Sequence, residues 1–380
     1  MGKISTNLSA LSITGIGAVT PVGLSAPASA AAFRASIARL TSLEAGEVHG
    51  PEGAVPPRTG GRVPLEWFDG GPRIQEWPGH ERFEVPIPPP EHLLIEDGVE
   101  RLVRLAVPAA VEGWRQAVGT GFPPRDWGLF LGLAAEEDAN TGAHLIEALK
   151  AALNGFQPAL TEVIAEGRAA GLAALHRAST VIAGGRITGA LVGAVDSLIR
   201  PSVYERLDSA GFLKGSSNPQ GVLPGEAAAF CVLEKQPRAA KPLAALVSTA
   251  VAEELASGTD KPNQAQGLTS VLRTVRTTAA LSHLPLIICD LNGDRYRALE
   301  WGLASTRVFG NLSKRAEAPV SGEFWHPADC IGDTGAASGI LDCIWAVEVI
   351  RKQYARLNQV VVWGASDGRL RAAVLLTGQG

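Results

Sequence analysis

Cysteine is scarce in this sequence, and no two cysteines stand close enough together to suggest a metal site. Only four occur among 380 residues, and none belongs to a CxxC pair of the kind that clasps zinc. Each one lies in or beside an apolar run, which is typical of reduced core residues. They are Cys231, Cys289, Cys330 and Cys343. We expect neither a metal site nor a cofactor.

Positive charge in excess and long apolar runs are also missing. The formal net charge is −4, so the chain has no basic surplus with which to neutralise phosphate groups. No segment approaches the roughly 20 continuous apolar residues that cross a bilayer. The first ten residues lack the layout of a secretory signal. We therefore expect a cytoplasmic protein that binds neither nucleic acid nor membranes.

Hydrophobic residues and glycine are abundant. Hydrophobic side chains make up 46% of the chain, and 43 residues are glycine, which is enough for a sizeable core with many tight turns. Helical and strand patterns alternate along the chain. Helices are predicted over 27–40, 99–118, 140–153, 168–183, 263–279 and 334–352, and strands over 11–24, 127–133, 187–195, 227–233, 243–251, 285–290, 359–363 and 372–376.

The order of these segments is similar in the two halves of the chain. Each half opens with a strand and later has a helix rich in glycine and alanine, followed by hydrophobic strands. This repetition predicts two fused α/β units, 1–236 and 237–380, that pack as one body.

One long stretch does not fit the alternating pattern. Residues 44–96 are rich in proline and glycine and include the run Ile87-Pro-Pro-Pro90, which neither a helix interior nor a central strand could contain. Irregular stretches of this length are uncommon inside compact domains unless they bind something or cover a surface. We interpret it as an insertion that could contact a partner.

Four segments in the same order as in a known family resemble the β-ketoacyl synthase branch of the thiolase superfamily. They are 13–23, 185–197, 223–230 and 331–339. Each match is short, but the weaker similarities between them extend the resemblance over nearly the whole chain. It implies a thiolase-like α/β fold in which the two halves form layers in the order α-β-α-β-α.

The resemblance also implies where the catalytic residues should lie. Active family members use a cysteine at the start of a buried helix, two histidines (or a histidine and an asparagine) and a supporting lysine. The matching positions here hold Arg168, Asn292, Asp333 and Ala328. An arginine cannot attack a thioester, since it has no nucleophilic atom. We therefore expect no catalytic residues at these positions.

The same positions predict what fills the former pocket. We expect the pocket to be formed by Arg168, Asn292, Asp333, Glu226 and Ser366. Our hypothesis is an ion pair between Arg168 and Asp333, with Asn292 hydrogen-bonded to it. The alternative is that Arg168 reaches solvent or Glu166, because a buried ion pair is costly to desolvate.

Other side chains are candidates to replace the catalytic groups that the resemblance implies. Cys330 with His326 could form a nucleophile and base, although Pro327 lies between them and nothing fixes their geometry. Ser366 and His176 are more typical of a turn serine and a structural histidine. The acidic run 135–138 could hold a metal ion but is more typical of a helix start.

Three functions remain open. The first is a non-catalytic adaptor, since degenerate synthase-like proteins are known beside effector genes of type VI secretion systems. The second is a chain-length-factor-like subunit paired with an active synthase, and the third is an acyltransferase with relocated residues. We favour the adaptor, because an arginine and an aspartate are hostile to an acyl chain. Its partner would be an effector or a synthase subunit, and the family's edge-strand pairing predicts a homodimer or heterodimer.

Overall fold

The computed structural model describes residues 11–43, 59–65, 98–119, 124–215, 218–235, 241–313, 324–355 and 358–378. Of the predicted insertion, only 59–65 belongs to this set, and the rest lies outside the described residues. Within the described ranges, no helix is both long and apolar enough to span a membrane.

The first half of the chain supplies seven strands and five helices to the described structure. In chain order they are β1 (Leu11–Val19), α1 (Ala26–Arg34), β2 (Thr41–Ser42), β3 (Thr59–Gly60), α2 (Val99–Val118), β4 (Trp127–Leu133), α3 (Ala139–Ala152), β5 (Leu160–Ala165), α4 (Ala170–Ala183), β6 (Gly189–Ser197), α5 (Pro201–Ser209) and β7 (Glu226–Glu234).

The second half supplies the remaining described elements. They are β8 (Ala244–Glu253), α6 (Gln266–Thr278), β9 (Leu286–Cys289), α7 (Arg295–Ser313), β10 (Phe324–Trp325), α8 (Ala328–Ile331), α9 (Ser338–Lys352), β11 (Gln359–Ala365) and β12 (Leu370–Thr377).

Ten of the strands form one sheet whose two sides repeat the same order. Outward from the middle, one side runs β1, β7, β6, β4, β5 and the other runs β8, β12, β11, β9, β10. The pairing directions also match, with the two pairs nearest the middle antiparallel and the two outer pairs parallel on each side. A short antiparallel contact between β1 and β8 joins the sides. The repetition predicted from the sequence is thus present in the strand order.

Helices α4 and α9 lie between the two sides of the sheet. Their residues share one apolar cluster with strands of both halves. A second cluster joins α2 and α3 to the first half, and a third joins α6 and α7 to the second. These clusters give the layers α-β-α-β-α and confirm the predicted fold class.

Burial along each helix explains which layer it occupies. Helix α9 buries every residue from Ser338 to Ile350, whereas α2 buries a stripe that includes Leu102, Leu105 and Ala109. A helix that is buried on all sides must lie inside the body, and one with a single apolar stripe covers a face. The sequence therefore sets the layer of each helix through the width of its apolar surface.

The helix predicted over 99–118 and the strand predicted over 127–133 match α2 and β4. The described elements that the sequence patterns did not predict are β2, β3, β5, β10, α5, α7 and α8. The predicted boundary near residue 236 falls between β7 and β8, and the division into two units at that point stays a prediction.

Candidate functional site

The two central helices begin at equivalent places in the two halves. A 3-10 turn, Gly167–Ala169, precedes α4, and a matching turn, Gly335–Ala337, precedes α9. The two turns contact each other. Gly335 has a φ of 54°, and a Cβ atom there would lie 2.0 Å from Oδ2 of Asp196, so the approach requires glycine. The site is built where these turns meet.

Arg168 and Asp333 form a buried ion pair between the two turns. The Arg168 Nε donates hydrogen bonds of 3.1 and 2.9 Å to Oδ1 and Oδ2 of Asp333, and Nη2 bonds to the same carboxylate. Their side chains are 10% and 2% exposed. The ion pair predicted from the sequence is confirmed, and the alternative in which Arg168 extends into solvent is wrong.

Asn292 completes the predicted group. Its Nδ2 donates to Asp333 Oδ2 at 2.7 Å, and the Gly335 backbone N–H donates to Oδ1 at 2.9 Å. Burial raises the pKa of Asp333, but the charge and hydrogen bonds of Arg168, the charge of Arg297 and the Gly335 N–H together outweigh it, so the pKa lies below its ordinary value. Asp333 is therefore an ionised carboxylate held by three partners.

The charged network extends beyond the predicted residues. Arg168 Nη1 donates to Oδ2 of Asp367, and Arg297 Nη2 donates to Oδ1 of the same residue at 2.6 Å. Arg297 also bonds to Asp290 Oδ2 at 3.2 Å. Charges thus alternate along Asp333, Arg168, Asp367, Arg297 and Asp290.

The balance between burial and the neighbouring arginines differs between Asp290 and Asp367. It raises the pKa of Asp290, and the nearby Arg297 only partly offsets this. Burial also acts to raise the pKa of Asp367, but Arg168 and Arg297 together lower it well below its ordinary value. Asp290 ends the predicted strand 285–290 and Asp367 directly follows Ser366, whereas Arg297 belongs to α7, which the sequence pattern did not predict.

A small cavity lies beside Asp333. Ala328, Asn292, Asp333 and Asp342 line it, and its volume is about 10 Å³, which is about the space that one water molecule needs. Both carboxylate oxygens of Asp342 lack a hydrogen-bond partner within the described residues. Burial, with Asp290 as a secondary cause, raises the pKa of Asp342 well above its ordinary value. We infer that Asp342 is protonated at neutral pH.

Glu226 does not join this site, which corrects the prediction that placed it in the pocket. Its carboxylate accepts hydrogen bonds from Arg101 Nε at 2.7 Å, Ser197 Oγ at 2.7 Å and the Val63 backbone N–H at 2.8 Å. Side chains alternate between the faces of a strand. Because Ala227 belongs to the central cluster, Glu226 faces the outer helices.

Ser366 and His176 have structural roles. The Ser366 Oγ accepts a hydrogen bond from the Ala169 backbone N–H at 3.0 Å, so it supports the turn that carries Arg168. His176 Nδ1 lies 2.8 Å from Thr249 Oγ1, within the central layer. Among the residues that the structure describes, neither side chain is arranged as a nucleophile with its base.

The acidic side chains of the run 135–138 form a helix cap and two ion pairs. Asp138 Oδ1 accepts from the Thr141 backbone N–H at 2.8 Å, which caps α3. Glu136 pairs with Arg206 at 2.7 Å, and Glu137 pairs with Arg200. These contacts favour the helix-start interpretation of the run.

Cys330 is not paired with His326. The cysteine belongs to the central apolar cluster and is 7% exposed, and burial raises the pKa of its thiol. The imidazole Nδ1 of His326 lies instead 3.1 Å from Asp329 Oδ2. A thiol becomes a nucleophile when its pKa is lowered, so these surroundings disfavour Cys330 as a catalyst.

We expect the thiols of the folded protein to resist alkylation. All four cysteines are buried, and burial raises the pKa of each. Iodoacetamide at neutral pH should therefore add no label within minutes to the native protein and four labels to the urea-unfolded protein, as read by intact mass. Rapid labelling of Cys330 in the native state would contradict this expectation.

Comparisons with known proteins agree with the fold. Residues 167–239 match the family model described as the N-terminal domain of β-ketoacyl synthase. This segment contains the turn at Arg168, helix α4 and strands β6 and β7. No curated protein sequence matches the chain.

Solved ketosynthases match nearly the whole chain in structure. The ketosynthase from module 6 of the bacillaene synthase of Bacillus subtilis 168 matches with a TM-score of 0.75 and 14% identity, over 98% of this chain and 72% of that one. The ishigamide ketosynthase/chain length factor matches with a TM-score of 0.68 and 20% identity, over 98% and 100%. A type II polyketide synthase acyl-carrier protein in complex with its ketosynthase matches with a TM-score of 0.74 and 15% identity, over 97% and 99%. These matches confirm the resemblance seen in the sequence.

Proposed function

We propose that this ketosynthase-like member of the thiolase superfamily is a non-catalytic protein that acts by binding a protein partner. The observation that carries the proposal is the ion pair between Arg168 and Asp333 at the start of α4. Under the resemblance, these two positions would hold the cysteine nucleophile and one of the histidines.

The charged network also opposes the entry of an acyl chain. An acyl group would have to displace Asp333 from Arg168 and lie against buried charges, which have a high cost of desolvation. The cavity beside Asp333 has only about the volume of one water molecule. Both features support the proposal that the protein has the ketosynthase-like fold but does not catalyse acyl transfer.

The loss of catalysis is tested with acyl-loaded carrier protein. We expect no acyl-enzyme by intact mass and no release of carbon dioxide from malonyl-loaded carrier protein, with an active ketosynthase as the positive control. Acyl transfer that disappears in Cys330→Ala would overturn the proposal in favour of relocated chemistry.

We propose an adaptor role, of the kind suspected in type VI secretion effector loading, as the first candidate. The insertion 44–96 supports it as a surface for a partner. In its described part, the Gly61 backbone N–H donates to Pro224 O at 2.9 Å and the Val63 backbone N–H donates to Glu226 at 2.8 Å, and both bonds attach the segment to the body. Co-purification from the native host with a toxin or a spike component is the expected result.

A second candidate is a chain-length-factor-like subunit. The structural match to the ishigamide ketosynthase/chain length factor over the full length of that chain favours it. Under this candidate, an active ketosynthase with an intact cysteine should co-purify in a 1:1 complex. Recovery of neither kind of partner at native expression levels would argue against both roles.

Strand β5 is the proposed site of dimer formation. It is the outermost strand on its side of the sheet, beside α4, and Val163 on it is 37% exposed. We expect Val163→Asp to weaken a dimer at this edge by tenfold or more in Kd, because it places an unpaired charge in the interface. Light scattering at several concentrations measures the change.

Leu255→Asp is the matched control for this variant. Leu255 follows β8 and is 62% exposed, so the same charge is added away from the proposed interface. A dimer that persists in Val163→Asp at all concentrations would exclude this edge.

A further inference from the structure

The carboxylate of Asp367 is held as a bound carboxylate ligand would be held. Its Oδ1 accepts from Arg297 Nη2 at 2.6 Å, and its Oδ2 accepts from Arg168 Nη1. The Asp367 side chain is 72% exposed, whereas those of Arg168 and Arg297 are 10% and 3% exposed. One surface carboxylate therefore covers two buried guanidinium groups.

Both arginines are held in place by other partners. Arg168 bonds to Asp333 through Nε and Nη2. Arg297 bonds to Asp290 and to the Ala365 carbonyl through Nη1. Because these contacts do not involve Asp367, removing its carboxylate would leave two N–H donors already aimed at one point on the surface. Fixed guanidinium donors of this kind are suited to carboxylates.

The chain around Asp367 allows the side chain to turn away. Ser366 before it is anchored, with its backbone N–H donating to Leu370 O at 3.0 Å. The Asp367 carbonyl accepts from Ser257 Oγ at 2.9 Å. Neither bond uses the Asp367 side chain, so its carboxylate can leave the arginines by side-chain rotation alone.

We propose that Arg168 and Arg297 form a binding site for a monocarboxylate ligand, and that Asp367 is its tethered occupant. This site is independent of the proposed non-catalytic role, because it depends on the arginines and not on the absence of a nucleophile.

The charged side chains around Asp367 favour a ligand with one negative charge over a ligand with two. When both are ionised, Asp333 and Asp290 already offset the charges of the two arginines, so an anion in the position of Asp367 adds excess negative charge, and a monoanion such as a carboxylate adds the least. A phosphate dianion would add unbalanced charge near buried aspartates. The tether gives Asp367 a high effective concentration, so a free carboxylate competes poorly in the native protein.

The test measures thermal unfolding of Asp367→Ala in sodium acetate and in sodium chloride of equal ionic strength, at neutral pH. We expect 100 mM acetate to raise the Tm of this variant by about 1–3 °C above the chloride value, which is the shift expected of a millimolar site in a protein of this size. The native protein should show less than half of that shift.

Two further variants make the result specific. Glu136→Ala removes another carboxylate from an arginine, Arg206, but this pair is exposed on both sides, at 53% and 49%, so no acetate response is expected. In the double variant Asp367→Ala with Arg297→Lys, which keeps the charge and loses the guanidinium fork, the response should disappear.

Three outcomes would overturn the proposal. The first is an acetate response of Asp367→Ala equal to that of the native protein, and the second is a response equal to that of Glu136→Ala. The third is stronger stabilisation of Asp367→Ala by inorganic phosphate than by acetate, which would exclude a carboxylate as the preferred ligand.

Discussion

Asp333→Ala is expected to lower the free energy of unfolding by about 3–5 kcal/mol at pH 7, because it leaves a buried guanidinium without its main partner. Arg168 Nε and Nη2 both bond to Asp333, and the Asn292 amide would lose its acceptor as well. Urea unfolding followed by circular dichroism measures the change.

Asp367→Ala is the matched control, because it removes the other carboxylate from the same arginine. Its side chain is 72% exposed, so we expect a loss of at most about 1 kcal/mol. The double variant Arg168→Met with Asp333→Leu removes both charges and should be close to neutral or more stable than the native protein. A loss below about 1 kcal/mol for Asp333→Ala would show that the ion pair does not hold the central turns together.

The pH dependence follows from the lowered pKa values of Asp333 and Asp367. A carboxyl whose pKa is lower in the folded state stabilises the fold above its unfolded pKa, near 4, and loses that contribution as the pH falls through the folded value. The native protein should therefore lose stability below about pH 4 more steeply than Asp333→Ala does.

Asp342→Leu is expected to raise the free energy of unfolding at pH 7 by about 1–3 kcal/mol, the cost of a buried polar group without a partner. Asp342 is 1% exposed, and both of its oxygens are without hydrogen bonds in the described part of the chain. The leucine introduced by Asp342→Leu is similar in size to aspartate and would lie beside apolar residues of α9, such as Leu341 and Cys343. Asp342→Asn removes the ionisable group but keeps a buried polar side chain. We therefore expect it to raise the free energy of unfolding by less than Asp342→Leu does.

The pH slope for Asp342 has the opposite sign to that for Asp333. Its pKa is raised in the folded state, so the unfolded state loses this proton first as the pH rises from about 4. This favours unfolding, so the advantage of Asp342→Leu over the native protein should grow with pH up to the folded pKa.

Glu348→Gln on the same helix is the control for this prediction. Glu348 is 2% exposed and bonds to Arg351, so its replacement should destabilise the protein. If Asp342→Leu destabilises the protein to a similar extent at every pH, then the carboxyl has a partner and the inference that it is protonated is wrong.

Local sequence patterns correctly predicted the elements that have one regular apolar stripe or one continuous apolar run. Helix α2 shows one regular stripe, and β4 is a short apolar run, so both were found at their observed bounds. Strand β5 was missed because it lies at the sheet edge, where its side chains are half-exposed and no apolar run marks it. Helix α7 was missed because polar residues interrupt its apolar face.

The site was only partly predictable. Arg168, Asn292 and Asp333 were identified because motif spacing assigns them to equivalent places in the family. Asp367 and Arg297 are 70 residues apart in the chain and meet only through the fold. The side chain of Glu226 was misplaced because a motif gives the position of a residue but not the face of the strand on which its side chain lies.

The sequence by itself determined the fold class, the repeated α/β plan and the presence of an arginine just before α4, where the resemblance implies a cysteine, because each depends on local apolar periodicity or on residue identity within a motif. Only the tertiary structure decided how the charges at the site pair. Pairing depends on distances between segments that are far apart in the chain, and burial makes those distances decisive because an unpaired charge there is costly. The predicted pair of Arg168 and Asp333 is thus one part of a network that reaches the surface at Asp367.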